Sequence, residues 1–188
     1  GHGTGCVAVA TPSGGVRTET LPTHIQSVVE PRDDHVSAPR WDQLAADPTA
    51  ILSSIQGAME DYQGDFERFV ASAFGQPHHA EATRDLAQFS DELRRFRLGR
   101  RALREDPRLA EAFQLANETF ARANAGKPFA TWRLFQLVYI VTHLPALVAR
   151  ENNDPEYRRE LDHVDVLWFP AGGGKTEAYL GLIITALF

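Results

Sequence analysis

Val164-Asp165-Val166-Leu167-Trp168-Phe169-Pro170-Ala171-Gly172-Gly173-Gly174-Lys175-Thr176 is the stretch on which the reading of this chain turns. An apolar run long enough for a buried strand breaks at Pro170, passes three glycines, and continues from Glu177 to Phe188 in a helix-like pattern. Strand, glycine-rich loop and helix in that order form the context of a phosphate-binding loop. Consecutive glycines let several backbone N–H groups turn toward one anion without a Cβ in the way. Lys175 is then the mobile positive charge on the outer phosphates, and the Thr176 hydroxyl is the Mg²⁺ ligand. The following helix adds its positive N-terminal end. The bland alternative is a glycine-rich turn with an incidental Lys-Thr.

The strict form G-x-x-x-x-G-K-[ST] needs Gly at 169, where Phe169 stands. The looser form P-[ST]-G-x-G-K-T fits from Pro170 to Thr176, except that Ala171 replaces the usual Thr or Ser. That substitution removes one auxiliary hydroxyl and leaves the backbone cradle intact.

Upstream, Thr131-Trp132-Arg133-Leu134-Phe135-Gln136-Leu137-Val138-Tyr139-Ile140-Val141-Thr142-His143-Leu144 forms a second informative stretch. On a helix, Leu134, Leu137, Val138, Val141 and Leu144 make an apolar face, and Arg133, Gln136 and His143 share a polar stripe. A glutamine amide donates and accepts at once, so Gln136 can pair with adenine through N6 and N7. The alternative is an ordinary surface amide. Pro145 ends or kinks this helix, and 150–160 reads as a polar connection.

The 188 residues suffice for one domain, or for a helical module leading into another. A net charge of −6 argues against a chain-wide polyanion-binding surface. The lone Cys6 excludes an internal disulfide framework and makes a reducing cytoplasm the default. No run reaches the ~18 apolar residues of a membrane span. The chain starts at Gly1 without Met and stops at Phe188 inside an apolar pattern, so a fragment of a longer protein is expected.

In chain order, residues 1–40 read as a β-rich segment, with Gly1 to Gly5 as a loop. Cys6–Ala10 and Val16–Leu21 form a hairpin around Thr-Pro-Ser-Gly-Gly, and Ile25–Val29 could add a strand. Asp33, Asp34 and His35 read as a solvated turn rather than metal ligands. Residues 41–126 read as a helical module. Asp47-Pro48 and Asp106-Pro107 open helices, and Ile51, Leu52, Ile55, Met59, Tyr62, Phe66, Phe69 and Val70 recur at core spacing. His78 and His79 read as exposed. A helix over about 81–104 buries Leu86, Phe89, Leu93 and Phe96. Its other side carries Arg97, Arg101, Arg104 and Arg108, with Arg94, Arg95 and Arg100 nearby. Such a stripe can track nucleic-acid phosphates, be a solvated face paired with Asp91, Glu92, Glu105 and Asp106, or dock on an acidic partner surface.

Trp132-Arg133-Leu134-Phe135-Gln136-Leu137, Leu144-Pro145 and the run from Val166 to Gly181 together resemble the DrmA family, the large superfamily 2 helicase-like ATPases of bacterial DISARM anti-phage systems. The resemblance covers roughly 95–188. It implies an ATP-driven, DNA-engaging motor that works with a companion subunit, with ATP and Mg²⁺ as cofactors. Residues 127–188 would then begin its ATPase domain. The expected fold is mostly α with an N-terminal β segment, leading into the first βα unit of a RecA-like α/β P-loop domain. Two other readings stand beside it: a non-motor P-loop ATPase, and a helical protein-docking module.

Overall fold

The computed structural model describes residues 2–3, 6–18, 36, 38–167 and 172–188. Three short strands open the chain: β1 (His2–Gly3), β2 (Cys6–Ala10) and β3 (Val16–Thr18), antiparallel in the order β1-β2-β3. The expected hairpin is present, with Val9 opposite Arg17 and a turn closed by Gly14 N–H on the Thr11 carbonyl. The loop read over residues 1–5 is corrected at His2 and Gly3, which pair with Val7 and Cys6. The expected strand Ile25–Val29 and the turn at Asp33, Asp34 and His35 lie outside the described residues.

Seven helices follow among the described residues: α1 (Trp41–Ala46), α2 (Thr49–Ser72), α3 (His79–Glu105), α4 (Pro107–Ala123), α5 (Leu134–Val148), α6 (Pro155–Arg159) and α7 (Lys175–Leu187). Their starts follow from the sequence chemistry. Asp47 Oδ1 accepts the Thr49 N–H, Asp106 accepts those of Arg108 and Leu109, and Asp154 accepts that of Glu156. In each case a proline stands next, where its missing N–H costs nothing.

The RecA-like expectation is corrected here. Val164 to Leu167 belong to no strand, and Trp168 to Ala171 lie outside the described residues. No parallel sheet exists among the described residues. A strand buried in a parallel sheet needs neighbours on its hydrogen-bonding edges, and this segment has none. Val164 and Val166 are accordingly exposed, at 90% and 86%. The fold is a helical assembly with a small antiparallel β segment.

The core runs through α1 to α5 and α7, centred on Leu44, Phe96, Phe113, Leu137, Ile140, Val141 and Leu144. Of the expected α2 core, Leu52 and Ile55 are buried, but Tyr62 and Phe69 are about half exposed. Among the described residues the first half of α2 lies against the bundle and the second half pairs with α3, so its aromatic stripe keeps a wet side. For the same reason Leu86 and Phe89 are half-buried, whereas Leu93 and Phe96 are fully enclosed.

The tightest crossing is between α3 and α5. Pro145 lies inside α5 and has no N–H to donate to the Val141 carbonyl four residues back. That same carbonyl faces Gly99 of α3, where a Cβ would stand 1.9 Å from it. Pro145 therefore does not end the helix, and Gly99 makes room for the backbone it disturbs.

Alanine normally stabilises a helix interior by about 1 kcal/mol over glycine. At Gly99 the backbone clash should win, so Gly99→Ala is expected to destabilise by about 3 kcal/mol. Gly57→Ala in α2, where a Cβ meets nothing within 4 Å, should stabilise. Urea unfolding of both variants checks the sign.

Candidate functional site

The site begins at Trp132. Its backbone N–H donates to the Pro39 carbonyl at 2.9 Å, and its indole Nε1–H donates to Asn117 Oδ1 at 2.8 Å. Asn117 in turn donates to the Phe113 carbonyl within α4. The Trp132 ring packs on Phe120 and, edge-on, on Trp41. A buried tryptophan satisfied in this way fixes the next residue, Arg133, as the extended N-cap of α5.

Gln136 is the third residue of that helix and is only 5% exposed. Its Oε1 accepts the Arg133 N–H at 2.7 Å, satisfying a donor that the helix start leaves open. Its Nε2 donates to the Gly174 carbonyl at 2.7 Å. The Arg133 guanidinium donates to the Gly173 carbonyl at 2.8 Å. The two residues singled out upstream thus close directly on the two glycines singled out downstream.

These two bonds orient the loop. In a planar trans peptide the C=O and the next N–H point in opposite directions. With the Gly173 and Gly174 carbonyls held toward α5, the N–H groups of Gly174 and Lys175 face the other way. Gly172 and Gly174 both have left-handed φ, +76° and +89°. Left-handed residues at alternate positions are the arrangement in which backbone N–H groups converge on an anion. Gly174 is doubly required: its φ disfavours any side chain, and a Cβ would meet Gln136 Nε2 at 2.6 Å. Lys175 is the first residue of α7 and Thr176 the exposed second. Pro170 and Ala171, also expected in the cradle, lie outside the described residues.

The segment leading into the loop is held by an ion network. Arg95, 4% exposed, donates through Nε to Glu160 Oε2 at 2.7 Å and pairs through Nη2 with Asp165 Oδ2 at 2.7 Å. Arg94 reaches the other Glu160 oxygen at 2.9 Å. His143 Nε2 lies 2.8 Å from Asp165 Oδ2, and its Nδ1 donates to the Tyr139 carbonyl at 2.7 Å. Desolvation works against the Asp165 carboxylate, but the hydrogen bond and charge of Arg95 outweigh it and hold Asp165 below its ordinary range. Burial lowers His143, with the Tyr139 carbonyl and Asp165 opposing. Burial raises Glu92, which stands near the same carboxylates.

The arginine stripe resolves largely into internal pairs. Arg97 holds Glu60 at 2.8 Å, and Arg108 holds Glu151 at 2.6 Å. Arg101 holds Asp154 at 3.0 Å and Glu156, and stacks over Tyr157. Its hydrogen bond to the Tyr157 hydroxyl is the main reason its pKa is raised. Arg104 is exposed. Arg97, Arg101 and Arg108 are thus paired chiefly with Glu60, Asp154, Glu156 and Glu151 rather than with the expected Asp91, Glu92, Glu105 and Asp106. Glu160 and Asp165 were not legible as partners, because they lie more than sixty residues from Arg95; the one hint was an acid inside an apolar run.

Over 51 residues the chain is 53% identical to "DISARM protein DrmA" of Bacillus paralicheniformis. This stretch is similar to DrmA. The match takes 27% of this chain and 4% of that protein, so the chain spans a small part of the relative's length. No family model and no solved structure matches the chain. Among the described residues no helix is long and apolar enough to cross a membrane.

Removing Arg95 leaves Glu160, 3% exposed, without its buried partner. Arg95→Met is therefore expected to cost about 3 kcal/mol in urea unfolding. Asp165, with its lowered pKa, adds stability above the ordinary carboxylate range and loses it as pH falls through the folded value. The wild-type urea midpoint should drop below about pH 4, and this drop should be smaller in Arg95→Met.

Proposed function

We propose that the loop ending at Lys175 and Thr176 cradles the phosphates of ATP, and that the chain belongs to an ATP-dependent, helicase-like DNA translocase acting in DISARM anti-phage defence. The observation that carries this reading is the closure of Arg133 and Gln136 on the carbonyls of Gly173 and Gly174. That closure turns the loop's amides outward at the N-terminus of α7, where the helix dipole also favours an anion. The similarity to DrmA supports the defence context.

In this reading Lys175 stabilises charge on the outer phosphates, and the backbone from Pro170 to Thr176 surrounds them. Mg²⁺ would enter with the nucleotide, with the exposed Thr176 hydroxyl as its protein ligand, and would neutralise phosphate charge. Gln136 spends its Oε1 on the Arg133 N–H and one Nε2 hydrogen on the Gly174 carbonyl, so reading adenine would require the nearly buried amide to turn toward the nucleotide. In that turned position the amide would favour adenine, with Arg133 beside it. DNA and a companion subunit would be engaged by the larger protein.

Lys175→Ala should abolish DNA-stimulated ATP hydrolysis in the full-length natural protein and weaken ATP binding to the 188-residue chain at least tenfold by calorimetry. Gln136→Ala should erase any preference for ATP over GTP and also loosen the loop. Full turnover in Lys175→Ala would contradict the assignment.

A further inference from the structure

The far end of the α2–α3 hairpin carries a surface that the nucleotide reading does not use. Tyr62 packs on Phe66 at 5.8 Å and, across the hairpin, on Phe89 at 4.9 Å. Phe66 continues to Phe69 at 6.2 Å, and Phe69 stacks on His78 at 6.1 Å. The rings form one continuous strip, about 10 Å long on α2 between positions 62 and 69. Tyr62 is 53% exposed, Phe69 49%, and Phe74 at the turn 81%. Contiguous exposed aromatic surface of this kind marks an interaction site.

The charges around the strip select the partner. Asp61, Asp65, Glu81 and Asp85 are all exposed, against only Arg68 and Arg84, and Arg68 is already paired with Asp65. Asp65 lies three residues after Tyr62 and four before Phe69, so it flanks the strip on the helix surface. An apolar ridge two turns long, bordered by carboxylates, complements an amphipathic helix with an apolar stripe and basic flanks. Cations on those flanks would also meet the exposed ring faces. A nucleic acid would set phosphates against carboxylates. A second copy of this chain would set acid against acid.

We infer that the tip of the α2–α3 hairpin docks a lysine- or arginine-rich amphipathic helix of a partner polypeptide. The strip supplies the hot spot and the carboxylates supply orientation and on-rate.

The test uses the 188-residue chain and a labelled peptide of about 18 residues, with leucines at helical spacing and lysines elsewhere, beside its glutamate counterpart. The lysine peptide should bind, weaken as salt rises, and protect 62–89 from hydrogen exchange. The double variant Phe69→Ser/Phe74→Ser trims the exposed half of the strip and should weaken binding about tenfold or more. The chain should stay folded by circular dichroism, with its melting curve lowered only by the lost Phe69 contacts. Asp61→Lys/Asp85→Lys should shift preference toward the glutamate peptide. Absence of binding, equal binding by wild type and variants, protection mapped elsewhere, or self-association of the chain through Phe69 would overturn the proposal.

Discussion

One side-chain amide ties the two informative halves of this molecule together. Gln136 caps its own helix through Oε1 and grips the Gly174 carbonyl through Nε2, at 2.7 Å in each case. It is nearly buried, so neither bond competes with bulk water, and an unmade partner would be expensive. The orientation of the glycine loop depends on this amide and on the Arg133 guanidinium beside it. Arg133 depends in turn on Trp132, held by Asn117 and by the Trp41 and Phe120 rings.

Two further constraints keep that amide in place. The Gly99 contact lets α3 and α5 approach closely enough for the backbone around Pro145 to be buried. Arg95 then fastens the chain between α6 and the loop through Glu160 and Asp165, with His143 of α5 on the same carboxylate. Salt bridges this deeply buried contribute less net stability than specificity of placement, because desolvation offsets most of the attraction. Their effect here is to fix the path by which a segment without strand partners approaches α7.

The local chemistry of the chain was readable in advance. Asp47-Pro48 and Asp106-Pro107 opened helices as such pairs do, and the first β-hairpin formed. Gln136 reads from sequence as an adenine contact or a surface amide, and its grip on the glycine loop has no signal there. What could not be read was long-range. Periodicity marks Tyr62, Phe66 and Phe69 as apolar, but it does not say that the end of α2 outruns the bundle. The run from Val164 to Phe169 has strand composition, yet a parallel strand exists only with neighbours, and among the described residues none stands beside Val164–Leu167. The arginines of α3 looked like one basic stripe because their carboxylates come from α2, α6 and the segments around α6.

The central claim is that the held carbonyls aim the loop's amides at an anion. Backbone amide NMR of the 188-residue chain during titration with Mg²⁺-ATP tests it most directly. The account expects the largest shifts at the N–H groups of Gly174, Lys175 and Thr176, greatly reduced in Gln136→Ala. Saturating nucleotide that leaves those three resonances unmoved, or moves residues remote from the loop instead, would contradict it.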